Sequence, residues 1–292
     1  MIKVIATDMD GTLLNTNHEI HKENIKAINK AREVGIKTVI STGREYDMVV
    51  DLLSEANLSC DCILLNGAEF RDEKGKIVEK INISKDSVRK IFNILQEKGM
   101  RGDLFTNNGY YTINSKEEAL KGVAEMCLHF EESINTLEEA IEFAKNHPRF
   151  KKLKYIDDYD KFINSSIEIR KIMAFYSDEK VIEQAKKEIS QIGGLAVSSS
   201  FRDNIEITDE KAQKGLILAK VIQKYGIDKD DVIVLGDSFN DYSMFTEFKN
   251  SYAMGNAIPE IKEIAKYITD TNNNAGVAKA IYKEINYIQQ QA

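Results

Sequence analysis

The stretch Lys3-Val4-Ile5-Ala6-Thr7-Asp8-Met9-Asp10-Gly11-Thr12 (KVIATDMDGT) decides how the rest of the chain is read. Consecutive β-branched and apolar residues over 3–7 fit a strand buried on both faces, the kind found in parallel sheets. The run ends at Asp8, and Gly11 lets the backbone turn away abruptly. A carboxylate at a strand end can attack phosphorus and form an acyl phosphate, dividing hydrolysis into two easier displacements. Asp8 is the candidate nucleophile. Asp10 is the candidate general acid and base, protonating a leaving alkoxide and then taking a proton from water. Taken alone, the same pattern is equally a turn carrying two solvated acids.

The same grammar recurs on either side. Residues 22–34 (KENIKAINKAREV) have a helical pattern with Ile25 and Ile28 on one face and Gly35 placed to close it. A second buried strand over 37–40 ends at Ser41-Thr42-Gly43-Arg44, and after a helix over 46–56 a third, over 62–65, ends at Asn66-Gly67. This alternation predicts an α/β fold with a doubly wound parallel sheet, whose ligands bind beyond the carboxyl ends of the strands. Ser41, Thr42 and Gly43 offer hydroxyl and backbone N–H donors for phosphate, or simply a helix N-cap.

From about residue 83 the character changes. Helical patterns over 85–98, 137–146 and 180–191 alternate with strand-like pieces over 109–113, 172–175 and 195–199, which predicts an inserted α+β cap domain at 83–199. The core is expected at 1–82 and 200–292, with the chain rejoining it near 205–208. There a helix over 211–225 carries Lys214-Gly215, and a strand over 232–235 ends in Gly236-Asp237-Ser238-Phe239-Asn240-Asp241. Its aspartates are hard oxygen ligands suited to Mg²⁺, and Asn240 offers an amide donor to phosphate. Asp8, Asp237 and Asp241 with a phosphate dianion would gather about five negative charges, untenable without compensation. Mg²⁺ and Lys214 supply it.

These four elements, in this order and at these strand ends, resemble motifs I to IV of the haloacid dehalogenase superfamily. Asp8 and Ser41 are 33 positions apart, while Ser41 and Lys214 are 173 apart. A large insert between the second and third motifs resembles the Cof-like subfamily with its type IIB cap. Asn66-Gly67-Ala68, Ala253-Met254-Gly255-Asn256-Ala257 and Thr269-Asp270-Thr271 are further matches. The resemblance implies a Mg²⁺-dependent phosphatase with Asp8 as nucleophile and metal ligand and Asp10 as acid/base, binding metal through its backbone carbonyl. It implies Asp237 as a direct metal ligand and Asp241 as one that orients metal-bound water. Met9, Ser41, Thr42, Gly43, Lys214 and Asn240 would hold phosphate, and the cap would close over the cleft and choose the substrate. After Thr271 the chain reads Asn-Asn-Asn-Ala, where many relatives are more acidic.

Composition narrows the field. The net charge is −7, the wrong sign for a dedicated nucleic-acid binder. Three cysteines without framework spacing fit a reducing compartment, and no apolar run approaches the roughly 20 residues that span a bilayer. A cytoplasmic monomer or small homo-oligomer is expected, acting on small phosphorylated metabolites and on neither nucleic acid nor membrane. Sugar phosphates lead, with pyridoxal phosphate or FMN as competitors. A phosphomutase, or a phospho-acceptor domain without turnover, is the alternative. The basic run Arg149, Lys151, Lys152, Lys154 reads as a solvated face or an aid to anionic substrates. Neither the Cys60/Cys62 pair nor the His18/His21 pair has enough neighbours for a metal site. Ser198-Ser199-Ser200 reads as an exit from a strand.

Overall fold

β1 (Val4–Thr7) is buried at all four positions, as a strand covered on both faces must be. In the computed structural model, which describes residues 1–130, 134–199 and 203–291, it lies inside an eight-stranded sheet. α1 (Lys22–Glu33), β2 (Lys37–Ser41), α2 (Tyr46–Glu55) and β3 (Asp61–Leu64) follow. Gly35, at φ +83°, closes α1. Next comes a hairpin the sequence pattern does not signal, β4 (Glu69–Arg71) and β5 (Ile77–Lys80), paired antiparallel onto β3.

The inserted segment then runs α3 (Lys85–Glu97), β6 (Arg101–Thr106), β7 (Gly109–Thr112), α4 (Lys116–Phe130), α5 (Leu137–Asn146) and α6 (Pro148–Lys152). It continues with β8 (Lys154–Tyr155), α7 (Tyr159–Ile163), β9 (Ile169–Phe175), α8 (Glu179–Ser190), β10 (Leu195–Ser198) and β11 (Asn204–Asp209). α9 (Lys214–Lys224), β12 (Val232–Gly236), α10 (Tyr242–Glu247), β13 (Asn250–Ala253), α11 (Pro259–Ile264), β14 (Tyr267–Ile268) and α12 (Gly276–Gln291) complete the chain.

The chain divides into two compact units, Met1–Ile81 with Ser198–Ser200 and Asp209–Ala292, and Asn82–Val197 with Phe201–Thr208. The sheet of the larger unit has the order β14-β13-β12-β1-β2-β3-β4-β5, and its first six strands are parallel. From β1 the chain moves one way to β2 and β3, and from β12 the other way to β13 and β14. Right-handed crossovers therefore put the connecting helices on opposite faces. The strand order reverses between β1 and β12, where an open α/β sheet leaves a crevice.

The smaller unit is a six-stranded sheet, β10-β11-β9-β6-β7-β8. α3 and α8 lay Val88, Ile91, Leu95, Ile182 and Ile189 against Leu104, Ile172 and Ala174 of that sheet. Each such side chain taken from water contributes about 1.5–3 kcal/mol. β11 corrects the expected boundary, which assigned residues from 200 onward to the core. β11 pairs antiparallel with β9, and its Ile205 and Ile207 are wholly buried in the smaller unit's core. The sequence could not show this, because an Ile-Glu-Ile-Thr alternation fits either sheet. Ser200 lies outside the described residues.

Arg149 corrects the solvated-face reading of the basic run. Of the basic run, Lys151 and Lys152 are exposed, but the Arg149 side chain is only 20% exposed and pairs with Asp103 at 3.4 Å. Its guanidinium lies 5.2 Å from the Tyr110 ring centroid. An arginine can bury against aromatic faces when a carboxylate shares the site. His21 serves as a cap, its Nδ1 accepting the Glu23 N–H at 3.1 Å. Burial pushes the Cys60 and Cys62 thiols up to about 12, keeping both protonated. Among the described residues no helix is long and apolar enough to cross a membrane.

Candidate active site

Two strand ends meet at the reversal point. Asp8 is fixed by its own N–H donating to the Leu235 carbonyl of β12, at 3.0 Å. The chain then makes a tight turn over Met9–Leu13, with Leu13 N–H on Asp8 O and Leu14 N–H on Met9 O. Gly11 sits at φ +73° within it, and a Cβ there would meet the Asp237 carboxyl at 2.5 Å. Only glycine lets the first loop pass this close to the loop after β12. The Asn256 side chain donates to the Gly11 carbonyl at 2.7 Å, and Asn272 donates through its amide to Leu14 O at 2.9 Å. An aspartate at 272 would have no N–H to give.

Lys214 opens α9, and its side chain is fully buried. α9 approaches α10 so closely that a Cβ on Gly215 would meet the Ser243 carbonyl oxygen at 2.1 Å. Lys214 Nζ donates to Asp8 Oδ1 and to Asp241 Oδ1, each at 2.6 Å. Burial works against its charge, but Asp241 and Asp8 outweigh it and raise the group above an ordinary lysine. The other Asp241 oxygen, Oδ2, accepts the backbone N–H groups of Asp237 and Ser238 at 2.9 and 3.1 Å. Asp241 thus ties the loop after β12 to Lys214.

Asp237 accepts from Thr12 Oγ1 at 2.7 Å. Burial, and then the neighbouring Asp241, push its carboxyl up to about 7. Asp8 is raised well above the usual carboxylate range, by burial first and Asp241 second, against the pull of Lys214. These directions describe carboxylates crowded together with too little positive charge. Oxygens of Asp8, Asp237 and Asp241 all lie within 4.8 Å of one another, a set able to hold a metal ion.

Asp10 is gripped by a residue to which the sequence reading gave no role. Arg44 Nε donates to Asp10 Oδ2 at 2.8 Å and an Arg44 terminal nitrogen to Oδ1 at 2.6 Å. Counted as ionised, Asp8, Asp10, Asp237 and Asp241 face Lys214 and Arg44. Two negative charges remain, the amount one divalent cation offsets.

The phosphate-cradle candidates lie at the end of β2, in the turn after β1 and in the loop after β12. Thr42 gives its N–H to Ile63 O at 2.8 Å, and its Oγ1 accepts the Arg44 N–H at 3.2 Å, which leaves the hydroxyl hydrogen to donate. Ser41 is wholly buried and its hydroxyl has no partner among the described residues. Gly43 is partly exposed beside Thr42. Asn240 approaches Asn66 at 3.5 Å, and Met9 is buried within the turn.

Comparison with known proteins bears on the family. A family model described as haloacid dehalogenase-like hydrolase matches residues 5–281. The chain is 30% identical over 281 residues to the phosphatase YwpJ of Bacillus subtilis, covering 95% of this chain and 98% of that one. It is 32% identical over 280 residues to the Bacillus subtilis 5-amino-6-(5-phospho-D-ribitylamino)uracil phosphatase YcsE, covering 96% and 94%. Among solved structures, a haloacid dehalogenase-like hydrolase from B. subtilis superposes with a TM-score of 0.84 at 28% identity, covering 96% and 99%.

Proposed function

Because the chain belongs to the haloacid dehalogenase-like hydrolases, we propose that this phosphatase works through an aspartyl-phosphate on Asp8 with Mg²⁺ as its metal. The observation that carries the proposal is the buried Asp8–Lys214–Asp241 cluster at the sheet's reversal point. Lys214 occupies Asp8 Oδ1, which leaves Oδ2 to approach phosphorus. Asp8 and Asp237, with the Asp10 carbonyl, would hold Mg²⁺, whose bound charge stabilises the transferring phosphoryl group as a Lewis acid. The two-negative surplus of the cluster is the argument for a divalent ion there, and all-oxygen donors suit Mg²⁺.

In the first step the Asp8–phosphorus bond forms and the bond from phosphorus to the leaving oxygen breaks, with Asp10 giving that oxygen a proton. In the second, water attacks phosphorus, Asp10 takes a water proton, and the Asp8–phosphorus bond breaks to release phosphate. Thr42 and the Met9 and Gly43 backbones, with Ser41 and Asn240, are the proposed phosphate contacts. Asp241 holds its loop and Lys214 in place for this.

Small phosphorylated metabolites are the substrate class. Sugar phosphates are the leading choice, with pyridoxal phosphate and FMN as competitors. The substrate in the name of the second relative carries its phosphate on a ribityl chain, which favours a primary phosphate on a polyol arm. The buried, protonated Cys60 and Cys62 thiols suit a cytoplasmic location.

The test is phosphate release across a metabolite panel with Mg²⁺. Asp8→Asn and chelation should each abolish release while the fold persists. Wild-type rates in Asp8→Asn would remove the nucleophile. Isomer formation without net phosphate would make the chain a mutase.

A further inference from the structure

Asp10 cannot serve as proposed while it stays as found. A carboxyl that donates a proton from one oxygen leaves the other to accept, yet here Arg44 donates to both, at 2.8 and 2.6 Å. The grip is well defined. The Arg44 N–H rests on Thr42 Oγ1, and its carbonyl accepts the Leu65 N–H at 3.0 Å. Its backbone is therefore pinned between the ends of β2 and β3. The Arg44 side chain is 18% exposed and that of Asp10 is 42% exposed, so the pair is reachable from the Asp10 side. Two coplanar guanidinium donors fix the plane as well as the position of a carboxylate, which a lysine ammonium cannot do.

We propose that Arg44 is the positioning residue for Asp10, aiming its carboxyl at the leaving-group oxygen and yielding one of the two hydrogen bonds during turnover. The inference rests on the acid/base role proposed for Asp10. It also sets a limit on Arg44, which acts through Asp10 and is not a phosphate ligand.

The test compares an alkyl phosphate, glycerol phosphate, with an aryl one, p-nitrophenyl phosphate. An alkoxide needs a proton to leave and nitrophenolate does not. kcat/KM reports only the steps up to departure of the leaving group. In Arg44→Met it should fall about 10–100-fold on the alkyl substrate, up to the lower end of what general acid catalysis contributes because Asp10 itself remains, and by less than about threefold on the aryl one. Arg44→Lys, which keeps one donor and the charge, should lie between, and it stands in should Arg44→Met lose its fold by melting temperature. In an Asp10→Asn background, removing Arg44 should cost no further activity, because residues acting as one unit are not additive.

Equal losses on both substrates, a raised KM with kcat unchanged, or full additivity with Asp10→Asn would each overturn the assignment. Wild type and Asp8→Asn run alongside on both substrates. Should wild type release no phosphate, or Asp8→Asn release it normally, the phosphatase chemistry falls and the Arg44 role with it. Normal Asp8 dependence with a uniform Arg44 effect removes Arg44 alone.

Discussion

Two lysines of this chain are buried to nearly the same degree and serve different ends. In the smaller unit Lys171, its side chain 2% exposed, pairs with Glu206 at 3.0 Å. In the larger unit Lys214, with none of its side chain exposed, sits between Asp8 and Asp241 and close to Asp237. The first brings one acid to one base. The second brings three acids to one base, and burial first and the crowded acids second have raised the proton affinity of Asp8 and Asp237. A buried pair of opposite charges holds a structure together. An unbalanced cluster stores a demand for a cation, and such a demand marks a site where ligands come and go.

Removing each lysine gives the sharpest way to break this contrast. Lys214→Met should lower phosphate release by at least about 10²–10³-fold, the cost of removing one preorganised charged donor. Lys171→Met should instead take the ammonium away from Glu206 and destabilise the smaller unit, with about 3–5 kcal/mol as the upper bound. The turnover of whatever stays folded should be little changed. Lys171→Met with Glu206→Leu should recover part of that loss, since a well-packed apolar pair often replaces an ion pair at no net cost. Denaturant titration and initial rates on the same samples separate the two outcomes. A Lys171→Met protein that is stable but inactive would end the comparison.

Metal and pH probe the surplus directly. Asp237 is raised from 3.8 to about 7 in the folded chain without a cation. Between those values the folded state binds more protons than the unfolded state, so stability falls as pH rises through that window. Below it the contribution is fully present. A divalent ion should replace the protons, and Mg²⁺ should therefore raise the melting temperature more at pH 8 than at pH 5. Calorimetry with Mg²⁺ against a chelator reads this difference. An equal shift at both pH values would mean that the ion binds elsewhere.

The same contrast explains what could be read from the amino-acid order. β1 and β12 are buried throughout and β2 and β3 end in buried stretches, Val39-Ile40-Ser41 and Cys62-Ile63-Leu64, so each carries an apolar run, and the residue ending each run falls at the crevice. Asp8, Ser41 and Asp237 were legible for that reason. β6 was not, because Arg101 and Asp103 interrupt the run that Leu104 and Phe105 would otherwise begin. The hairpin of β4 and β5 was hidden by Ile77-Val78-Glu79-Lys80, which looks like surface chain and is largely exposed. Arg44 was in plain view beside Thr42 and Gly43, but its bond to Asp10 spans 34 positions and is a tertiary fact. The charge count held a clue, since four carboxylates with one lysine and one Mg²⁺ still left a negative charge to be matched. Asn256 and Thr12 belonged to visible motifs, but their hydrogen bonds to Gly11 and Asp237 depend on two loops meeting.

The smallest expected effect comes from Thr12, whose side chain shares volume and shape with valine. Thr12 Oγ1 gives Asp237 a neutral donor at 2.7 Å and lowers the proton affinity that burial and Asp241 raise. Thr12→Val should remove that one donor with little change in packing, because residue 12 is wholly buried and loses no volume. Asp237 should then titrate higher, and Mg²⁺ affinity should weaken about tenfold, as for other groups that support a ligand from behind. The carboxyl carbon of Asp237 followed by NMR against pH gives the first quantity, and Mg²⁺ titration of the melting temperature gives the second. An Asp237 resonance that titrates unchanged in Thr12→Val would show that the hydroxyl does not temper the cluster, and that Lys214 and the metal alone balance it.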